Sequence, residues 1–291
     1  MGYIISMVNM KGGVGKTTVT LNLATCLAKN SRKKVLVVDL DTQINATLSL
    51  MPPGKFAQLK QQNRTLKTLV DRATNKNFDP DVSLEKIIQK NVCQIAGFDL
   101  LPGDLELYDD YYLAEIVYSK SQGERLDFKQ NWQRLEDNLM RGILQETINQ
   151  YDWIFLDFSP GDNLITRSGI LASNFYIIPA KPEPLSTIGI GILEGRVRQL
   201  KASDRTKINL LGIVFTSLGR TTNMAENIKE RLITDFGREA IFNTEIPTNV
   251  AVARAVDEYK PVVLTEPKSS GAKSFNDLAK EFIKRFNSIR G

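Results

Sequence analysis

The stretch KGGVGKTT, from Lys11 to Thr18, decides how this chain folds. It follows an apolar run from Tyr3 to Val8, and it leads into residues with the pattern of an amphipathic helix. A glycine-rich sequence between a strand and a helix is typical of a phosphate-binding loop. The sequence therefore predicts a nucleotide site at the end of the first strand.

The residue types in this loop suit phosphate binding. Its three glycines let the backbone adopt conformations closed to other residues and bring N–H groups against phosphate oxygens. The helix beginning near Lys16 adds partial positive charge, Lys16 can reach the β and γ phosphates, and the Thr17 hydroxyl can bind Mg²⁺. The residues predicted to contact the nucleotide are Lys11, Gly12, Gly13, Val14, Gly15, Lys16, Thr17 and Thr18.

A second lysine, Lys11, makes this loop unusual. The common pattern has a glycine five residues before the glycine of the Gly-Lys-Thr unit, where this chain has Met10. Because Lys16 already serves the phosphates of its own site, we expect Lys11 at the rim to reach a nucleotide held by another subunit. The alternative is a solvated surface lysine.

Two further apolar strands end in acids. Lys34 to Asp41 reads KVLVVDLD, and Trp153 to Asp157 reads WIFLD. In an open parallel sheet the ligand lies beyond the carboxyl ends of the strands, so Asp39, Asp41 and Asp157 should converge on the phosphates and their metal ion. The alternative for each acid is a helix cap or a turn former.

Apolar strands alternate with helical stretches along all 291 residues. This alternation predicts one domain over 1–291, an α/β fold with a doubly wound, mostly parallel twisted sheet flanked by helices. Strands are expected at Tyr3 to Val8, Lys34 to Asp39, Phe98 to Leu101, Trp153 to Asp157, Phe175 to Pro179 and Asn209 to Phe215. Helices are expected at Lys16 to Lys29, Trp132 to Gln150, Thr187 to Leu200, Asn223 to Phe236 and Lys273 to Ile289.

The motifs together resemble the deviant Walker A ATPases, and within them the ParA family, which positions plasmids, chromosomes and other large cargo. The segment DLDTQINAT, Asp39 to Thr47, is similar to the family pattern DxDPQGNAT, and NLLGIVFTSL, EIPTNVAVARA and KPVVLTEPKSSGAKSF follow in family order. Polar segments near 52–76 and 108–129 are longer than a compact member needs, and we interpret them as candidate partner-binding surfaces.

The resemblance implies an ATPase with ATP and Mg²⁺ as cofactors. The implied catalytic residues are Lys11, Lys16 and Asp41, with Asp41 orienting the attacking water and Lys11 crossing a nucleotide-sandwich homodimer to the partner's ATP. The implied metal-binding residues are Thr17, Asp39 and Asp157. Adenine contacts are implied around Thr216 and Pro247.

Basic charge is concentrated in the C-terminal third. Residues 196–291 hold 17 lysines and arginines against 11 aspartates and glutamates, a net of +6. We interpret one basic face as a surface for DNA phosphates, with an ordinary solvated surface as the alternative. Because only nine residues precede Met10, we expect no operator-reading domain and hence nonspecific DNA binding. The candidate DNA-binding residues are Arg196, Arg198, Lys201, Arg220, Lys229 and Arg231.

These features predict a cytoplasmic, nucleoid-associated switch. ATP binding would drive a homodimer onto DNA, and a ParB-like or small adaptor protein would stimulate slow hydrolysis and so release it. The motor motifs do not distinguish plasmid, chromosome or protein-compartment cargo such as carboxysomes.

Two other classes of protein remain as alternatives. A MinD-like ATPase acting on membrane is suggested by the last helix, where Phe275, Leu278, Phe282, Phe286 and Ile289 share one side; the same stripe could pack on its own domain. A metabolic amide-forming synthetase of the superfamily would need a substrate pocket. An iron–sulfur member lacks ligands, since the chain has two cysteines and no histidine.

Overall fold

A computed structural model describes residues 2–74, 83–108, 114–115, 117–118, 127–218 and 222–290. Within these ranges, seven strands form one sheet in which each strand runs parallel to its neighbours, in the order β3-β2-β4-β1-β5-β6-β7. The strands are β1 (Tyr3–Met7), β2 (Val35–Leu40), β3 (Phe98–Leu101), β4 (Trp153–Phe158), β5 (Phe175–Ala180), β6 (Asn209–Leu218) and β7 (Ile246–Pro247).

Helices cover both faces of the sheet, as the doubly wound prediction required. Their bounds are α1 (Lys16–Ser31), α2 (Asn45–Leu48), α3 (Pro53–Gln61), α4 (Leu66–Thr74), α5 (Leu84–Ile87), α6 (Phe128–Gln145), α7 (Leu164–Ala172), α8 (Pro184–Ala202), α9 (Asn223–Phe236), α10 (Val250–Asp257), α11 (Val262–Thr265) and α12 (Ser270–Arg290). One hydrophobic cluster joins the sheet to α4 through α9, and a second joins it to α1, α3 and α10 through α12. The predicted fold class is confirmed.

The strand alternation places the core. Along β4, Ile154 and Leu156 enter one cluster while Trp153 and Phe155 enter the other, because successive side chains of a strand point to opposite faces. Both faces are covered, so β2, β4 and β5 are buried along their whole length.

Several elements differ from the sequence prediction. The helix expected at Trp132 to Gln150 begins earlier, at Phe128, because Asp127 and Gln130 form a reciprocal capping box there. It ends at Gln145, and the remaining residues form a 3₁₀ turn at Ile148–Gln150.

The two segments interpreted as polar insertions fare differently. Residues 53–61 and 66–74 form α3 and α4, and Phe56, Leu59 and Leu69 are buried in the core, so this segment has an apolar inner side. Much of 108–129 lies outside the described residues. The single-domain prediction for 1–291 stays a prediction.

The last helix, α12, packs on its own sheet. Phe275, Leu278, Phe282 and Phe286 are buried, and the rings of Phe282 and Phe286 meet Trp153 edge to face at 5.2 and 5.5 Å. Ile289 is exposed. The stripe that suggested a membrane surface therefore belongs to the core. In the described parts of the chain, no helix has the length and hydropathy needed to cross a bilayer.

Candidate functional site

The glycine-rich loop lies at the centre of the sheet. Strand β1 runs between β4 and β5, and the loop leaves its carboxyl end to enter α1 at Lys16. Gly13 and Gly15 have φ values of 70° and 81°, in the left-handed region that favours glycine. Gly15 caps α1 without a side chain, which leaves the N–H groups of the first turn to face an anion. This backbone fits a phosphate-bearing ligand.

Lys16 is almost fully buried at the start of α1. Its Nζ atom donates a hydrogen bond to the Lys11 carbonyl oxygen at 3.1 Å, so the ammonium group lies over the loop. Burial lowers the pKa of Lys16, while the charges of Asp157 and Asp41 raise it. The cation is thus held inside the site by nearby acids.

Asp157 is anchored by the first turns of α1. The Thr17 Oγ1 atom donates to Asp157 Oδ2 at 2.6 Å, and Thr20 Oγ1 donates to Asp157 Oδ1 at 3.0 Å. Thr20 also donates to the Lys16 carbonyl oxygen at 2.9 Å. Thr20 was not predicted, since a threonine inside a helix gives no sequence signal of a contact 137 residues away.

Asp39 lies directly beside Asp157, in register on the neighbouring strand. Both carboxyl groups are fully buried. Burial, together with the charge of Asp39, raises the pKa of Asp157 to about 8, and burial raises the pKa of Asp39 to about 6. Closely placed carboxylates and the Thr17 hydroxyl are the hard oxygen donors that Mg²⁺ prefers, and a cation there would favour their ionised forms. The residues present therefore fit a magnesium ion.

A second unpredicted threonine fixes Asp39. The Thr47 backbone N–H and hydroxyl both donate to Asp39 Oδ2 at 2.7 Å. Gly103 closes the other side: it donates its N–H to Thr47 Oγ1 at 3.0 Å, and an added Cβ would lie 2.9 Å from the Asp39 carbonyl oxygen. Only glycine fits that approach without a shift of the backbone.

Asp41 acts partly as the turn former that the alternative interpretation described. Its carboxylate accepts from the Gln43 N–H at 3.0 Å and from Asn45 Nδ2 at 2.7 Å, and its own N–H donates to Asp39 Oδ1 at 3.1 Å. These bonds aim the buried side chain toward the same edge as Lys16. Asp41 therefore forms a turn and also lies at the same site as Lys16.

Lys11 does not extend into solvent. Its ammonium group forms an ion pair with Glu183, the residue just before α8, and its side chain is about a quarter exposed, at 23%. Asn9 ties the loop to the sheet, since it donates to the Pro179 carbonyl oxygen at 2.9 Å and accepts from the Lys11 N–H at 3.0 Å. The predicted reach of Lys11 to a nucleotide held by another subunit stays a prediction.

The two residues predicted near adenine lie on adjacent strands at the same edge. Thr216 is buried, and its hydroxyl donates to the Val14 carbonyl oxygen at 2.8 Å, so it supports the loop. Pro247 pairs with Leu218 on β6. Their contacts with adenine stay a prediction.

The candidate DNA-binding residues have unequal access to solvent. Lys229 is 14% exposed and pairs with Glu245 at 2.7 Å, whereas Arg231 is 72% exposed. Arg196 lies 3.6 Å from Asp162, Arg198 donates to the Glu194 carbonyl oxygen at 3.4 Å, and Lys201 donates to Asn209 at 3.4 Å. Arg220 lies outside the described residues. Arg231 also lies 3.8 Å from Asp235, so three of these cations are near an acid, while Arg198 and Lys201 donate to neutral oxygens.

Both cysteines are free thiols held in apolar surroundings. Burial raises the pKa of Cys26 to about 12 and that of Cys93 to about 11, so neither is an activated thiolate. The described residues contain no group of three histidine, cysteine or acidic ligands arranged for a metal ion on their own. A metal at Asp39 and Asp157 would therefore complete its shell with ligand oxygens and water.

The comparison with protein families agrees with this geometry. Residues 2–210 match the family model described as AAA domain. The chain is 30% identical over 281 residues to the sporulation initiation inhibitor protein Soj of Bacillus subtilis, covering 97% of this chain and 98% of that one. It is also 30% identical over 285 residues to the chromosome-partitioning ATPase Soj of Treponema pallidum, covering 98% of each.

Solved structures share the fold. The cell division ATPase MinD of Pyrococcus furiosus aligns with a TM-score of 0.63 and 26% identity over 98% of this chain and 99% of that one. Cyanothece apo McdA aligns at 0.75 and 17% identity over 97% and 100%. A cobyrinic acid a,c-diamide synthase from Mycobacterium smegmatis, solved with ADP and magnesium, aligns at 0.73 and 19% identity over 99% and 96%.

Proposed function

Because this chain belongs to the ParA family of P-loop ATPases, we propose that it is a positioning ATPase whose ATP-bound homodimer holds nonspecific DNA and whose hydrolysis step releases it. The observation that carries the proposal is the cluster at the carboxyl edge, where Thr17 contacts Asp157 at 2.6 Å beneath a left-handed glycine loop. The relatives named for chromosome partitioning and sporulation support a role in positioning DNA.

Each group at this edge has a role in holding the nucleotide. The N–H groups from Gly12 to Thr18 would bind phosphate oxygens, and Lys16 would neutralise the β and γ phosphates. Thr17, Asp39 and Asp157 would hold Mg²⁺. Bound ATP and Mg²⁺ supply the phosphoanhydride bond and a counter-charge for its oxygens. Thr216 would orient the loop toward adenine, with Pro247 beside it.

Asp41 would orient the attacking water. Gln43 and Asn45 hold its carboxylate by two hydrogen bonds, so the acceptor is fixed before a nucleotide arrives. A fixed acceptor can align a water molecule for in-line attack, and it does not need to remove a proton completely. Unassisted P-loop hydrolases turn over at ~10⁻⁴ to 10⁻² per second, so we propose a slow basal rate that a ParB-like or small adaptor protein raises.

Lys11 would change partners when two copies meet. In the isolated chain the Glu183 carboxylate is its counter-ion. In the proposed homodimer the phosphates of the second copy's ATP take that place, so dimer formation separates the pair. Lys11→Ala should keep nucleotide binding by the monomer but lose the ATP-dependent dimer, which light scattering after gel filtration would measure. A variant that dimerises and turns over ATP like the parent would contradict this role.

The DNA step has its own test. The protein with ATP and Mg²⁺ should bind random-sequence duplex DNA more tightly than with ADP, because a dimer presents twice the basic surface. Equal binding with the two nucleotides would overturn the switch. In cells this predicts a cytoplasmic protein associated with the nucleoid. The cargo is plasmid, chromosome or protein compartment, and the gene neighbour that encodes the stimulating partner would identify it.

The synthetase class is the second candidate, because the cobyrinic acid a,c-diamide synthase shares the fold. Its likeness, at 19% identity, extends to the fold alone. A synthetase would hydrolyse ATP only with its carboxylic acid substrate and an amide donor. ATP turnover by the protein alone, stimulated by DNA and a partner, would exclude that class.

A further inference from the structure

A set of basic residues lies at the opposite edge of the sheet from the nucleotide site. Lys29 belongs to the last turn of α1, and Arg32, Lys33 and Lys34 lead from there into β2. We name Lys29, Arg32 and Lys34 the basic rim. Strand β2 has six residues, so about 20 Å of strand separates this rim from Asp41 at the other end. The basic rim was not among the predicted DNA-binding residues.

The basic rim surrounds a concave surface. A cavity of about 480 Å³ is lined by Lys29, Arg32, Lys33 and Lys34 on one side and by the loop containing Gln94 and Gly97 on the other. The Gly97 backbone packs closely against that of Lys33, since an added Cβ at Gly97 would lie 3.1 Å from the Lys33 carbonyl oxygen. Four basic residues thus line one side of this cavity.

Three of these four cations form no ion pair with any described residue. Lys29, Arg32 and Lys34 are exposed, and no ion pair involves them within the described ranges. Lys33 differs, because its ammonium group lies 3.2 Å from Asp152 and 5.7 Å from the centre of the Trp153 ring. In the predicted cluster, Lys229, Arg196 and Arg231 lie 2.7, 3.6 and 3.8 Å from an acid, whereas the contacts of Arg198 and Lys201 are with neutral oxygens. Uncompensated charge that water can reach is what phosphate groups recognise.

Several non-glycine residues at this cavity have positive φ angles, which are unfavourable for residues with a side chain. Arg32 has φ 51° at the end of α1, a left-handed position that favours glycine or asparagine. Gln94, which lines the opposite side of the cavity, and its neighbour Cys93 also have positive φ values, of 61° and 54°. An arginine at Arg32 costs stability there, and its charge points to a binding role. Lys29 and Arg32 also complement the negative end of α1, but Lys34 lies in no helix.

We infer that the basic rim binds the phosphate backbone of DNA, on the edge opposite the nucleotide. This inference rests on the DNA-binding part of the proposed function and changes the surface that carries it. A second copy covering the carboxyl edge leaves the rim open, so DNA and dimer formation do not compete. Each dimer then offers two rims, which raises its effective affinity for long DNA over that of the monomer.

Two charge-reversal variants with the same change in net charge test the inference. The rim variant is Lys29→Glu with Arg32→Glu and Lys34→Glu, and the control is Arg198→Glu with Lys201→Glu and Arg231→Glu. Lys33 is kept because it covers Trp153. Binding to a long random-sequence duplex is measured by fluorescence anisotropy with ATP and Mg²⁺ at several KCl concentrations, alongside basal ATP turnover and thermal melting.

The rim variant should bind DNA at least about tenfold more weakly than the parent, and the slope of log affinity against log salt should shrink by roughly 2 to 3. Its basal ATP turnover should be unchanged. The control should lose less than about threefold. If the glutamate rim variant unfolds at a lower temperature than the parent, glutamine is placed at the same positions of the rim and control variants. The rim variant should again lose more DNA affinity than the control, although both losses should be smaller.

Parent-like DNA binding by a folded rim variant would overturn the inference and leave the proposed function standing. A parent that binds no DNA with ATP would overturn the DNA-binding part of the proposed function and the rim together. Loss of binding to anionic phospholipid vesicles, with DNA binding retained, would also overturn the inference and assign the rim to membrane.

Discussion

The two edges of the parallel sheet hold their charges in opposite ways. At the carboxyl edge, Asp39, Asp41 and Asp157 are buried, and protein groups satisfy their oxygens. At the amino edge, the cations of the basic rim are exposed and form no ion pair with the acids that the structure describes. Chemistry on a phosphate needs groups fixed to within fractions of an ångström, whereas a sequence-independent hold on a polyanion needs accessible charge. Strand β2 lies between the two edges, with Lys34 just before its first residue and Asp41 just after its last.

The largest effect should come from removing the buried cation of the carboxyl edge. Lys16→Ala should lower ATP turnover by about 10² to 10³, the usual cost of losing one fixed charge at a developing anion. The matched control is Lys34→Ala, just before the first residue of β2 at the amino edge. This variant should leave turnover unchanged. A coupled assay of phosphate release measures both. Similar losses in the two variants would break the comparison of the edges.

The next effect concerns stability and pH. In the folded protein Asp157 stays protonated up to about pH 8, while its ordinary pKa is 3.8, so unfolding releases a proton between these values. The free energy of unfolding of the metal-free protein should therefore fall as pH rises from about 4 to 8. Asp157→Asn should flatten this fall and melt several degrees higher than the parent at pH 8.

Thermal melts in a metal chelator at pH 5 and pH 8 would measure this difference. Mg²⁺ with ATP should stabilise the parent at pH 8 more than it stabilises Asp157→Asn, which keeps the loop contacts but loses one metal-binding carboxylate. Parallel pH trends for the parent and the variant would show that Asp157 is not the group that titrates.

A smaller effect separates two glycines of the same helix, α8. A Cβ added at Gly189 would lie 2.9 Å from Asn9 Oδ1 and 3.4 Å from the Lys11 nitrogen, whereas one added at Gly191 meets nothing within 4 Å. Gly189→Ala should cost about 1–3 kcal/mol and weaken ATP binding, because it displaces the loop. Gly191→Ala should gain up to about 1 kcal/mol of helix stability.

Urea unfolding and nucleotide titration of these two variants give the readouts. Equal behaviour of Gly189→Ala and Gly191→Ala would mean that α8 does not position the loop through Asn9.

The smallest effect tests the amino edge. Arg32→Gly should stabilise the protein by about 0.5–1 kcal/mol, because glycine adopts the left-handed conformation at the end of α1 without strain. The same variant should lose DNA affinity and reduce the salt slope by about 0.9, the value for one phosphate contact. Greater stability without any change in DNA binding would leave the arginine unexplained.

The sequence predicted the sheet well because its strands are apolar, short and followed by turn residues. Phe98 to Leu101 and Asn223 to Phe236 have the predicted bounds. Helix α7 and strand β7 were not predicted: α7 is buried on nearly every side, with Thr166 and Ser168 among its buried residues, so it lacks a clear apolar stripe, and β7 has only two residues, too few for a periodic pattern.

The residues of the candidate site also fall into a group that the sequence predicted and a group that it did not. The loop and its neighbouring acids follow from residue type and spacing, and the structure brings them to one edge. Thr20, Thr47, Gly103 and Glu183 could not be found in that way, because each acts through a contact with a residue distant in sequence or across a turn. A serine, threonine or glycine carries no sign of such a contact until the backbone is folded.

The close pairing of Asp39 and Asp157 has a consequence for calorimetry. Near neutral pH the empty pocket retains a hydrogen ion that a divalent cation must displace when it enters with the nucleotide. The solvent buffer takes up that ion, so the heat of titration should differ between Tris and phosphate by the difference in their ionisation enthalpies. The apparent affinity for the cation should also rise with alkalinity.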